Sequence, residues 1–106
     1  MSKQKIKKEI QSITSQLIQN YKPEKIILFG SAVYGKFGPD SDLDFFIMKE
    51  KVPYYGVDRI REVERLIETS LPCDFLIARP SEVKKRLKLG DPFLKFIFQE
   101  GKVIYG

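Results

Sequence analysis

Apolar and polar positions come in blocks along this chain, and each block predicts an element. From Lys3 to Tyr21, apolar residues recur every three or four positions at Ile6, Ile10, Ile13, Leu17 and Tyr21, the stripe of an amphipathic helix. Lys5 and Glu9, four apart, fall on its polar side. Pro23 stops that helix. Ile26 to Phe29 is then continuously apolar, as in a strand buried on both faces. Gly30-Ser31 follows at once, with a short segment ending at Lys36, and Gly38-Pro39-Asp40-Ser41 is loop chemistry. A second apolar run begins at Leu43, and two acids, Asp42 and Asp44, stand at its entrance.

The remainder reads the same way. Lys49 to Gly56 is a loop with Pro53 and the Tyr54-Tyr55 pair. Val57 to Leu71 predicts a second amphipathic helix, with Ile60, Val63, Ile67 and Leu71 on one face. Its other face carries Arg59, Arg61, Glu62, Glu64, Arg65 and Glu68, read as solvated and salt-paired. Pro72 ends it and Cys73 to Ala78 is a strand. Pro80-Ser81 opens a helix to about Leu89, with Ser81 as its N-cap. Gly90 stops that helix, and Asp91-Pro92 starts another with Phe93, Phe96 and Ile97 inward. Gly101 ends it, and Lys102 to Tyr105 is a last short strand. This alternation predicts a mixed α/β (α+β) domain over residues 1–106, a small mixed sheet backed by helices. Phe93, Leu94 and Phe98 around the last helix are more apolar surface than one small core needs, so a homo- or hetero-oligomeric interface is expected there.

Composition narrows the chemistry. A chain of 106 residues suits one small domain with a modest core. It contains no histidine, which removes Ser–His and Cys–His catalysis and most zinc sites, so carboxylates, lysines, hydroxyls or a metal must act. The single cysteine, Cys73, forms no internal disulfide and reads as a small core residue. Together with the lack of a membrane-length apolar run or a signal-peptide pattern, it sets a cytoplasmic expectation. The net charge of +5 suits a polyanion, nucleotide or RNA. Lys3, Lys5, Lys7 and Lys8, and the run Lys84-Lys85-Arg86-Leu87-Lys88, are the candidate RNA contacts, although such runs are commonly solvated helix faces.

The acids carry the sharpest signal. Residues two apart on a strand share a face, so Asp42 and Asp44 stand about 6.8 Å apart along the chain on the face of Phe46 and Met48. Carboxylates that close repel unless a cation lies between them, and Mg²⁺ is the simplest hard-oxygen candidate. Gly30-Ser31, at the end of the preceding strand, offers backbone N–H groups and a hydroxyl for phosphate. Two look-alike motifs fail. Gly30-x-x-x-x-Gly35-Lys36 is followed by Phe37 where a P-loop needs Ser or Thr. Asp40-x-Asp42-x-Asp44 is followed by Phe45 where a calcium loop needs Gly, and Lys51 occupies the place of its closing Glu.

Gly-Ser, ten residues, then Asp-x-Asp resembles the signature of the polymerase-beta-like nucleotidyltransferase superfamily, in particular its small minimal nucleotidyltransferase branch. The resemblance covers nearly the whole chain and implies the nucleotidyltransferase fold. It also implies a third carboxylate from a later strand, a slot that Asp74 fits. Asp42, Asp44 and Asp74 would then be the catalytic and metal-binding residues for two Mg²⁺ ions, with Asp74 the base for the incoming hydroxyl. Gly30 and Ser31 would hold the β/γ phosphates of ATP, and Lys36 would neutralise charge on the leaving pyrophosphate. Proteins of this branch are typically antitoxins of HEPN-domain ribonucleases, and some transfer AMP to a tyrosine of that partner. The implied function is therefore transfer of AMP to a partner protein's hydroxyl. RNA as acceptor and a non-catalytic binding module are the alternatives. Family members commonly carry an arginine in the Gly-Ser-x-x-x-Gly segment. Ala32, Val33 and Tyr34 stand there instead, which leaves Lys36 as the compensating cation.

Overall fold

The computed structural model describes residues 2–38 and 40–106, so Pro39 of the expected Gly38–Ser41 loop lies outside the described residues. In chain order the elements are α1 (Lys3–Gln16), a π-helical turn (Leu17–Tyr21), β1 (Lys25–Phe29), β2 (Leu43–Met48), α2 (Gly56–Leu66), β3 (Cys73–Ala78), α3 (Pro80–Lys88), α4 (Pro92–Glu100) and β4 (Lys102–Tyr105). The strands form one sheet in the order β3-β2-β1-β4. β1 is antiparallel to both β2 and β4, and β2 is parallel to β3. A parallel pair requires a crossover, which α2 supplies.

Alternation along the strands splits the apolar residues between two layers. Leu28, Phe45, Ile47 and Phe75 pack toward one side with Ile13, Leu17 and Tyr21 of the first helical segment and Val63 of α2. Ile27 and Phe46 point to the other side and meet Val83 of α3 and Leu94 and Ile97 of α4. The architecture is thus the expected mixed α+β sheet backed by helices, here with helices on both faces.

Four sequence expectations are corrected. The first helix leaves regular α geometry after Gln16, and Lys22 closes its π turn with a left-handed φ of 58° and an N–H donated to the Leu17 carbonyl. The second helix stops at Leu66 rather than Leu71. Gln16 and Asn20 capture the backbone just past its end: the Gln16 amide bonds both the carbonyl and the N–H of Glu68, and Asn20 donates to the Leu66 carbonyl. Pro72 also disfavours helix at Leu71. The residue before α3 is Arg79, not Ser81, and the Glu82 carboxylate reaches back to accept from the Arg79 N–H at 2.8 Å. In α4, Leu94 and Ile97 are buried while Phe93 and Phe96 are exposed, because a nine-residue helix offers the sheet one narrow stripe.

Arg59 is the fifth departure. Expected on a solvated face, it is buried, with donors on the Pro53, Tyr54 and Ile77 carbonyls and a two-pronged contact to Glu82. Its position four residues before Val63 was the available signal, since that spacing puts both on one helix face.

Candidate active site

The register of β2 brings three chain segments to one end of the sheet. Asp44 pairs with Phe29 on one side and with Asp74 on the other. Because β1 runs antiparallel to β2, the end of β1 and the Gly30 that follows lie beside the start of β2. Because β3 runs parallel, its start lies there too. Asp44 and Asp74 are therefore direct cross-strand neighbours, with side chains on the same face as Phe46 and Leu76. Asp42 stands just ahead of β2, half-buried, and Asp74 is exposed.

Gly30 touches this pair. It takes φ 80°, and a Cβ there would overlap Asp44 Oδ2 and lie 3.2 Å from Asp44 Cγ, so backbone and carboxylate are in direct contact. Beyond it, residues 31–37 form a turn rather than a helix. The Gly30 carbonyl accepts from Val33 N–H, and the Ser31 carbonyl accepts from the N–H groups of Tyr34 and Lys36. The Tyr34 hydroxyl donates to Glu100 at 3.1 Å and ties the turn to the end of α4. Lys36 is exposed at the end of the turn.

Among the described residues, none of Asp42, Asp44 and Asp74 takes part in an ion pair. Burial, then the charges of Asp74 and Asp42, push the Asp44 carboxyl above its ordinary pKa. The ion pairs among the described residues lie elsewhere, at Arg59–Glu82, Arg61–Asp58 and Arg86–Asp91. Three mutually repelling oxygen donors with no salt-bridged cation fit a hard divalent ion in donor chemistry. Among the described residues, however, no three ligating side chains converge into a ready-made coordination sphere. The structure brings Asp44, Asp74 and Gly30 together, sets Asp42 near them, and leaves Lys36 at the exposed end of the turn.

A mixed sheet with a tight glycine turn against paired strand-head carboxylates defines a domain of the nucleotidyltransferase class. The family model described as "Polymerase beta, Nucleotidyltransferase" matches residues 8–106, and the chain belongs to that family. Its fold is similar to the crystal structure of a candidate nucleotidyltransferase from Sulfolobus solfataricus, with a TM-score of 0.57 at 19% identity, covering 92% of this chain and 83% of that one. No curated protein matches the chain.

Proposed function

We propose that this domain transfers AMP from ATP to a hydroxyl of a partner protein, and that it acts as the antitoxin of a HEPN-type ribonuclease. The observation that carries the transferase reading is the contact of Gly30 with Asp44, whose strand neighbour is Asp74. It supports the reading because a glycine turn lies against one of two neighbouring carboxylates that repel each other. Gly30 and Ser31 hold the β/γ phosphates. Asp42, Asp44 and Asp74 would hold Mg²⁺, which would supply charge neutralisation during phosphoryl transfer. The acceptor oxygen attacks the α-phosphorus, the bond from that phosphorus to the bridging oxygen breaks, and pyrophosphate leaves. Asp74 takes the hydroxyl proton; it is the exposed member of the pair, on an edge strand that an acceptor can approach. Lys36, exposed at the end of the turn, would neutralise charge on the departing pyrophosphate in place of the missing arginine.

A protein acceptor and antitoxin role rest on the likeness of this small domain to its branch of the family. The test is transfer of label from α-labelled ATP with Mg²⁺ into host lysate, with protein and RNA fractions separated and the Asp42→Ala/Asp44→Ala variant as control. Label on one protein, lost in the variant, is the expected result, and that protein's sequence decides whether it is a HEPN ribonuclease. Label in RNA would instead make RNA the acceptor. Absence of label despite Mg²⁺-dependent ATP binding would leave a module that acts by contact alone.

A further inference from the structure

On the face of the sheet opposite the strand-head acids, an open groove of about 990 Å³ runs between α1, the 31–37 turn and β4. That volume is at the top of the range of about 300–1,000 Å³ usual for small-molecule sites. The groove is also long: its α1 wall extends from Lys3 to Thr14, about 16 Å at the helical rise. Lys3, Lys7, Gln11 and Thr14 recur there every three or four residues and form one stripe beside the core-facing stripe of α1. The far wall is β4, an edge strand, where Lys102 and Ile104 point to the α1 side while Val103 pairs with Ile27 of the other layer. Ile6, Ile10, Val33, Phe37 and Ile104 pack against the core from one side and stay half-buried, which leaves apolar surface turned into the groove.

The rim of this apolar trough is basic. Lys3, Lys7 and Lys102 are exposed on it, and no Asp or Glu stands among its described lining residues. Glu9 of α1 is turned away, accepting from the Thr69 hydroxyl and the Ser70 N–H at 2.8 Å each. We infer that the groove docks an acidic amphipathic helix of a partner protein, about three turns long. Its apolar stripe lies on Ile6, Ile10 and Ile104, and its carboxylates lie among the three lysines, the helix-in-groove mode of recognition. Such a helix, laid beside α1, extends the helical layer over the edge strand. Charge selects this occupant. A second copy of the chain would bring another net +5 against the lysines. RNA would satisfy the lysines but leave the aliphatic floor uncovered, since Phe37 is the one aromatic side chain among the described lining residues on which a base could stack. The inference goes beyond the transfer reading, because none of Gly30, Ser31, Asp42, Asp44 and Asp74 lines the groove.

The experiment places the photo-cross-linker benzoylphenylalanine at position 11 of the full chain, with position 64, exposed on α2, as control, and irradiates the host cells. The expected adduct is specific to position 11. It falls in a segment of one protein that has apolar residues three and four apart and an excess of Asp and Glu. That segment, made as a fluorescent peptide, should bind the purified chain in anisotropy titrations. Lys3→Glu/Lys7→Glu/Lys102→Glu should weaken it about tenfold or more while keeping the wild-type melting temperature, since all three lysines are exposed. Lys102→Glu alone, on the far wall, should weaken it in the same direction. Asp42→Ala/Asp44→Ala should leave this binding unchanged, so a failure of the transfer chemistry does not touch the groove assignment. Adducts on RNA, on a second copy of the chain, or on a basic or non-helical segment would overturn it. So would adducts no stronger than those at position 64, or an affinity indifferent to charge reversal.

Discussion

Gly30 combines a left-handed φ with a position against the Asp44 carboxylate, so a side chain there meets two obstacles at once. Gly30→Ala is expected to cost about 1–3 kcal/mol from the backbone alone, and to displace Asp44 as well. A lowered denaturant midpoint together with lost ATP binding would be the signature; an unchanged midpoint would contradict the description of this contact. Asp44→Asn makes the opposite stability prediction. The fold raises the pKa of Asp44, so it binds the proton more tightly than the unfolded chain does. Stability from this group is therefore lost as pH rises through that raised pKa, and at neutral pH the ionised carboxylate destabilises the fold. Asn removes the charge, so the metal-free variant should melt above wild type while losing transfer. Mg²⁺ should raise the melting temperature of wild type and not that of the variant. Asp42 and Asp44 were legible in the sequence as acids at the entrance of one strand, and Asp74 through the family resemblance; the pairing of Asp44 with Asp74 depends on β2 and β3 lying side by side. The contact of Gly30 with Asp44 was not legible, since it depends on β1 and β2 pairing antiparallel with Phe29 opposite Asp44.

The elements themselves were legible wherever periodicity and breakers agreed, as at Cys73–Ala78 and Lys102–Tyr105. They were misread where a side chain from another element decides the outcome. The apolar pattern of α2 runs on to Leu71, yet the Gln16 amide takes both backbone groups of Glu68 and the helix cannot continue. Arg59 was hidden for a similar reason: only the tertiary fold shows that three carbonyls and Glu82 await it. That ion pair makes α2 and α3 dependent on pH. Hydrogen bonding from Arg59 first, with the Arg79 N–H and both arginine charges adding to it, lowers the Glu82 pKa from 4.5 to about 2. The sign is that of a depressed acid. Its stabilisation is complete above about pH 4.5 and is lost as pH falls toward about 2. Glu82→Gln should flatten this acid limb in urea titrations at stepped pH. Arg59→Met, which also orphans the buried Ile77 carbonyl, should cost about 1–3 kcal/mol at neutral pH.

At the scale of the whole molecule, an acidic site sits in a chain of net charge +5. The two fields act over different ranges. In about 0.01 M salt the Debye length is about 30 Å, comparable with a body of 39 × 27 × 23 Å, so an approaching polyanion senses the net positive charge of the whole molecule. In about 0.1 M salt it is about 10 Å, and an approaching nucleotide senses mainly the local carboxylates and whatever cation they hold. The association rate of ATP with Mg²⁺ should therefore fall severalfold over that range in stopped-flow measurements, with little change in the dissociation rate. A flat salt dependence would mean that the surface lysines take no part in capture.

The parallel pairing of β2 with β3 also governs when the acid pair can form during synthesis of the chain. Asp44 emerges from the ribosome well before Asp74, and the two meet only after α2 has carried the chain across and β3 has docked. Until then the nascent chain holds half of its acid pair, however well its first hairpin has formed. Arrival of β3 completes that edge of the sheet and brings Asp74 beside Asp44 in one event.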